Sequence, residues 1–339
     1  MNIVIITLLA LLSSCSKGSD GGSTNIAPTN LTLIANVSTD NSGNVTFTAT
    51  ATNAVNFDFD FGNGIFQSPS AGIVTYKYPS SGNYTVNVIA KSQSNLTVSK
   101  SIQISVSVGQ SLLFSDEFDT PGTPNPSKWN YDIGTGSGGW GNNELQYYTN
   151  RLENAVVSNG TLKIIAKKEN YSGSAYTSAR LLTQNKFSFK YGKVEARAKL
   201  PAGVGTWPAI WMLGNNITTV GWPACGEIDI MEHKGSDLNK IYATLHHPGH
   251  SGGNGDGSTK VISNATTEFH IYRMEWSASS IKFYIDDVIF YTFSNNSSLP
   301  FNQNFFLLLN FAMGGNFGGT VDPAFTNATF EIDYIRVYQ

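Results

Sequence analysis

From residue 26 onward, apolar and polar positions alternate with a period of two over most of the chain. LTLIANV, VTFTATAT, NFDFDFG, YTVNVIAKS and SKSIQISVSV follow one another, and Val45-Phe47-Ala49 and Tyr84-Val86-Val88 each line up on one side of their segment. Successive strand side chains point to opposite faces, so this alternation predicts half-buried strands. A run of about 80 such residues predicts a small immunoglobulin-like β-sandwich over residues 26–108. From residue 109 the texture shifts to more aromatic residues and longer strands. In KFSFKYGKVEARAKL, Val194, Ala196, Ala198 and Leu200 share one face, and Glu195, Arg197 and Lys199 the other. FFLLLNFAM is apolar throughout, as expected of a central strand covered on both sides. With no amphipathic helical stretch, the chain is predicted to be all-β, with a two-sheet jelly-roll sandwich over residues 109–339.

One segment breaks the alternation. In GEIDIMEHKG, residues 226–235, Ile228 and Ile230 point toward an apolar layer and Glu227 and Asp229 away from it. A regular strand would then turn Glu232 into the core, where an unpaired carboxylate costs several kcal/mol or takes up a proton. On a helix Glu227 and Glu232 would stand roughly 140° apart. A β-bulge at Ile230-Met231 resolves the conflict: one extra residue returns Glu232 to the face of Glu227 and Asp229. The two glutamates are then roughly 13 Å apart along the backbone, and their side chains can lean together across Asp229.

Charge adds an exclusion. The 339 residues carry 21 basic and 24 acidic side chains, a formal charge of −3, with no Lys/Arg cluster to track a phosphate backbone, so nucleic acid is not an expected partner. Residues 1–15, MNIVIITLLALLSSC, form an apolar run too short to span a bilayer as a helix, and read as an export signal. Leu12-Ser13-Ser14-Cys15 resembles the bacterial lipobox, which predicts secretion across the inner membrane and a lipid anchor on Cys15 at the outer membrane or cell surface. The apolar run departs from that pattern in having no preceding Lys or Arg, and ordinary signal cleavage is the alternative. Ser/Gly-rich residues 16–25 read as a flexible tether. Cys225 is the only other cysteine, so a lipid-bearing Cys15 leaves no internal disulfide. Next to the acidic segment, Cys225 is expected to be a buried apolar side chain rather than a catalytic thiol.

Two glutamates leaning together suit one reaction class. Carboxyl groups about 5–5.5 Å apart are the geometry of a retaining glycosidase, one acting as nucleophile and the other as acid and then base. A middle Asp adds negative charge and raises a neighbour's proton affinity. A solvated acidic face and calcium binding are the competing readings; the cluster lacks the loop spacing of a calcium site. His246 and His250 could be half of a zinc site, although Pro248-Gly249 excludes a helix and thiolates are lacking. A sugar-binding cleft needs aromatic platforms, amides and Arg. Trp140, Trp207, Trp211 and Trp222 lie near these motifs, with Asn142, Asn143, Glu144, Arg180 and Asn310. Trp222 is the expected platform; Trp211, alternating with apolar neighbours, is expected in the core.

Two resemblances follow. NFDFDFGNG with YKYPSSGNYTVNVIA resembles the PKD domain, with Asn63 replacing the turn's Asp and Ile65 following Gly64. It implies a spacer module. GEIDIME, preceded by GTWPAIWMLG, resembles glycoside hydrolase family 16 in its bulged Glu-x-Asp-x-x-Glu branch, which contains the laminarinases. FSDEFD, WGNNELQYYT, FKYGKVEARAKLP, LNFAMGG and DYIRVYQ extend the similarity over nearly the whole second domain. The resemblance implies Glu227 as nucleophile, Glu232 as acid/base, Asp229 as electrostatic assistant and His246 beside the acid/base. It also implies a structural calcium on Glu117, Gly160 and Asp333, unless Asp333 simply pairs with Arg336. The expected activity is a monomeric endo-glucanase cutting internal β-1,3 bonds of neutral laminarin-like or mixed-linkage glucans, with no cofactor in the chemistry. A non-catalytic lectin-like protein and an agarase or carrageenase are the alternatives.

Overall fold

The computed structural model describes residues 25–339. The export signal, Cys15 and all but the last residue of the tether lie outside the described residues. The chain divides between Gly109 and Gln110 into two compact units.

In the first unit, strands Thr29–Val37, Asn44–Thr52 and Ile73–Lys77 form one antiparallel sheet, and Phe66–Gln67, Asn56–Asp60, Gly82–Lys91 and Thr97–Val106 form another. The alternating residues Val45, Phe47, Ala49, Phe57, Phe59, Val86 and Val88 make the core between them. Fully burying a Phe or Val is worth about 1.5–3 kcal/mol, so this layer holds two sheets without a disulfide. Asn63, at the turn position where the resemblance has Asp, donates to the Tyr76 hydroxyl at 2.9 Å. Gly62 is required there: its φ is +76°, and a Cβ would lie 2.4 Å from the Thr85 carbonyl oxygen.

The second unit is built from two larger sheets. One runs, in spatial order, Asp256–Val261, Lys240–His246, Glu227–His233, Thr206–Gly214, Phe305–Met313, Arg180–Leu182 and Asn130–Asp132. The other is ten-stranded and includes Gly192–Lys199 and Asn327–Tyr338 at its centre. Their facing sides bury a common core, with Val194, Ala196 and Ala198 from one sheet and Ile210, Met212, Ile228, Leu307 and Leu309 from the other. Strand Phe305–Met313 is buried at every position. Its odd-numbered residues face that core, while Phe306 and Leu308 join Leu182, Leu213 and Cys225 in a small cluster on the opposite side. Both faces are therefore covered, as its apolar run predicts. Strand pairing is antiparallel except between Gln146–Tyr148 and Ser174–Ser178, which run parallel. Among the described residues no helix exceeds five residues.

Candidate active site

The irregular acidic segment is strand Glu227–His233, third in the seven-stranded sheet. Against strand Thr206–Gly214, Ile210 pairs with Met231 and Trp211 with Asp229, leaving Ile230 as the extra residue. On the other side Asp229 pairs with Thr244 and Glu232 with Tyr242, so Ile230 and Met231 together oppose Ala243. The bulge lies where the spacing requires it. Its cause is energetic: Ile228, Ile230 and Met231 are all buried in the inter-sheet core. Each apolar side chain contributes about 1.5–3 kcal/mol there, whereas a regular strand would bury a glutamate instead.

On the opposite face, each glutamate receives an indole. Trp222 Nε1 donates to Glu227 Oε2 at 2.9 Å, and Trp207 Nε1 donates to Glu232 Oε1 at 3.0 Å. The Thr244 hydroxyl donates to Glu232 Oε2 at 3.3 Å. Asp229, 3% exposed, lies between the glutamates. His246, cross-strand partner of Glu227, brings Nε2 to 3.2 Å from Asp229 Oδ2 and 3.9 Å from Glu227 Oε1. The 3.2 Å approach is off the hydrogen-bonding direction and leaves Asp229 Oδ2 without a partner; the other ring nitrogen of His246, Nδ1, has none either. The expectation put His246 beside Glu232. In the fold it contacts Asp229 and Glu227, because it pairs with the first acid of the strand rather than the last.

Burial dominates the electrostatics. Desolvation, then repulsion from Asp229, pushes the Glu227 carboxyl well above the ordinary carboxylate range, although His246 and the Trp222 indole oppose this. Desolvation and the Glu232 charge push Asp229 well up, against a hydrogen bond with Glu227. Glu232 is also raised by desolvation, tempered by the Trp207 indole, His246 and Thr244. Three carboxylates this close and this dry cannot all be charged at neutral pH, so the cluster retains protons. A buried group that is protonated beside one that can ionise is what acid-assisted displacement at a carbon centre requires.

The same face continues toward Asn130–Asp132. Trp211 Nε1 donates to Asn310 Oδ1 at 2.8 Å, and Asn310 Nδ2 donates to the Tyr148 hydroxyl at 2.9 Å. The hydroxyl of Tyr148 and the amide of Gln146 donate to Glu144 at 3.1 and 2.7 Å. Glu144 is raised by burial, against these donors and the Arg180 charge. The Arg180 guanidinium sits 4.6 Å from the Trp140 ring and 4.9 Å from the Trp211 ring, and its Nε is 2.9 Å from Asp132 Oδ2. Asn142 reaches Glu144 at 3.5 Å, and Asn143 donates outward to Asn316 at 2.9 Å. Trp222 is 49% exposed, which leaves a ring face for a ligand.

Several sequence expectations change. Trp211 is half-buried on the carboxylate side, not in the core; it pairs with Asp229, and the strand turns Ile210 and Met212 inward instead. Arg336 does not pair with Asp333: its guanidinium grips both oxygens of Glu117 at 2.9 and 2.7 Å, and Asp333 pairs with Arg197. Calcium takes six to eight oxygens at 2.3–2.6 Å. Two carboxylates each held by a guanidinium do not offer that cage, so Glu117, Gly160 and Asp333 as arranged do not fit the ion. Cys225 is fully buried, with its thiol pushed up to about 11 by burial, as suits a core residue. His246 does not join His250; His247 does, because neighbouring strand residues face opposite ways. Tyr148, Gln146, Asp132 and Phe317 belong to this face without having been picked out. Phe317, 5.2 Å from the Trp207 ring and 5.0 Å from Tyr242, comes from a short helical turn that no strand pattern reveals.

Known proteins resemble this chain over the same residues. Residues 142–336 match the Glycosyl hydrolases family 16 and residues 30–100 the PKD domain. A β-glucanase from Rhodothermus marinus is 46% identical over 244 residues, spanning 67% of this chain and 85% of that protein. The X-ray structure of the laminarinase from Rhodothermus marinus aligns with a TM-score of 0.65 at 46% identity, covering 68% of this chain and 98% of that one. A LamA variant from Zobellia galactanivorans, in complex with laminaritriose and laminaritetraose, aligns with a TM-score of 0.62 at 47% identity over 67% of this chain and 98% of that one. The match spans the bulged strand Glu227–His233 and more than half of the chain, and on that ground the chain belongs to the Glycosyl hydrolases family 16.

Proposed function

We propose that this chain is a retaining endo-1,3-β-glucanase acting on neutral, laminarin-like glucans, and on mixed-linkage β-1,3/1,4-glucans that present the same internal β-1,3 geometry. The observation that carries the reading is the placement of Glu227 and Glu232 on one face of a bulged strand, each held by an indole N–H and separated by a buried aspartate.

In this reading Glu227 attacks the anomeric carbon while Glu232 gives its proton to the departing glycosidic oxygen. The new bond joins the sugar to a Glu227 oxygen, and the sugar–oxygen bond to the leaving chain breaks. Glu232, now a carboxylate, takes a proton from water, whose oxygen attacks the same carbon and releases Glu227. Asp229 lies between the two glutamates, and because the Glu232 charge raises its proton affinity, a proton stays within the cluster when Glu232 gives one up. Trp222 and Trp207 fix the two glutamates and offer ring faces to sugar C–H groups.

Charge supports a neutral substrate. Arg180 is already paired with Asp132 and stacked between two tryptophans, so it is not a free cation for sulfate groups. The laminari-oligosaccharides held by the Zobellia relative are of the same neutral class. Leu12-Ser13-Ser14-Cys15 supports export with a lipid anchor at the cell surface, where a polymer too large to import would be cut. NMR of the first-formed product tests retention: a β-anomer is expected, and an initial α-anomer overturns the mechanism.

A further inference from the structure

Outside the carboxylate face, a second group of metal-capable side chains converges in the hairpin that follows strand Lys240–His246. His247 and His250 close a tight turn through two backbone hydrogen bonds of 2.8 and 2.9 Å, with Pro248-Gly249 at its tip. Their rings stack with centroids 4.7 Å apart. Asp256, where the chain returns, places Oδ2 2.9 Å from His247 Nε2 and Oδ1 3.1 Å from His250 Nδ1. One donor atom from each of the three residues lies within 4.8 Å of the others. His247 is buried against Phe293 and Phe301, whereas the His250 side chain is 52% exposed, so one side of the group is fixed and the other is open to an arriving ion.

We propose that His247, His250 and Asp256 bind a divalent transition ion of the zinc class. Two imidazole nitrogens and one carboxylate select zinc-like ions over calcium or magnesium, which prefer all-oxygen shells. Donors on a tetrahedral zinc at 2.0–2.1 Å stand about 3.4 Å from one another. His247 Nε2 and Asp256 Oδ2 are already near that separation at 2.9 Å, and the exposed His250 side chain has room to turn toward the same oxygen. The open side leaves the fourth position to water. The ion replaces the ring protons now shared with Asp256 and ties the turn to the following strand.

The site also backs onto the catalytic face. Gly255, next to Asp256, is so close to the His246 ring that a Cβ there would lie 2.7 Å from it. An ion on Asp256 therefore holds the backbone that packs behind the histidine facing Asp229.

Isothermal titration of zinc chloride into the full chain, bearing no histidine tag, tests the site. One equivalent is expected, with affinity at least ~10-fold weaker in His250→Ala and unchanged in Glu227→Gln. No binding by the wild type, undiminished binding by His250→Ala, or loss of binding in Glu227→Gln would each overturn the proposal. The last result would assign the ion to Glu227, Asp229 and His246 instead. Cobalt(II) bound to the unmodified chain gives an independent reading: an intense four-coordinate visible band is expected, and a weak six-coordinate spectrum counts against the site.

Discussion

The indole N–H of Trp207 donates to Glu232 Oε1 at 3.0 Å, across the bulge that joins two neighbouring strands. Because Ala209 pairs with Glu232, Trp207 is two residues along the same face, the distance an indole can bridge. The contact exists only because the extra residue, Ile230, returns Glu232 to that face.

Trp207→Phe removes this donor while keeping an aromatic surface. The hydrogen bond lowers the proton affinity of Glu232, so without it Glu232 holds its proton to higher pH. If Glu232 is the acid, the alkaline limb of the pH dependence of kcat/KM moves toward higher pH, and the rate at the optimum falls about 10-fold through poorer positioning. A pH profile that stays in place while the rate falls would remove Trp207 from control of Glu232.

Asp229→Asn should separate activity from stability. Folded-state proton affinities of Glu227, Asp229 and Glu232 are all raised above their unfolded values. The folded state thus binds more protons, and its stability is greatest in acid and falls as pH rises above the ordinary carboxylate range. Removing the middle charge relieves that loss. The expected melting temperature equals wild type near pH 4 and exceeds it by about 2–4 °C near pH 8, a gain of about 1 kcal/mol. Activity should fall about 100-fold. A variant less stable than wild type at alkaline pH would show that Asp229 is held by interactions stronger than the repulsion.

Deletion of Ile230 tests the bulge itself. The segment then reads Glu-Ile-Asp-Met-Glu, and plain alternation keeps all three acids on one face with Met231 in the core. The lost side chain costs about 2–5 kcal/mol of packing. The deletion variant should fold, as judged by circular dichroism, and keep measurable hydrolysis. A deletion variant that folds but has lost hydrolysis altogether would refute this account of the spacing.

Much of this was legible in the chain. Alternation in Val194-Ala196-Ala198 and the wholly apolar Phe305–Met313 run identify strands and their burial, because burial is what selects those residues. The misfit in Glu227–His233 identifies the bulge, since only one insertion keeps three acids out of the core. Trp211 was not legible: its neighbours are apolar, yet Ile210 and Met212 take the core and Trp211 the other face.

The strands, the bulge and the three acids that share a face are written in the local pattern of the chain, because they depend on periodicity and on the cost of burying charge. Which side chains meet is set by packing. Trp222 reaches Glu227, His246 approaches Asp229 rather than Glu232, Tyr148 joins Asn310, and His247 rather than His246 partners His250. Those contacts depend on register between segments up to 162 residues apart, and on which face each side chain occupies once two sheets have packed, which no local pattern encodes.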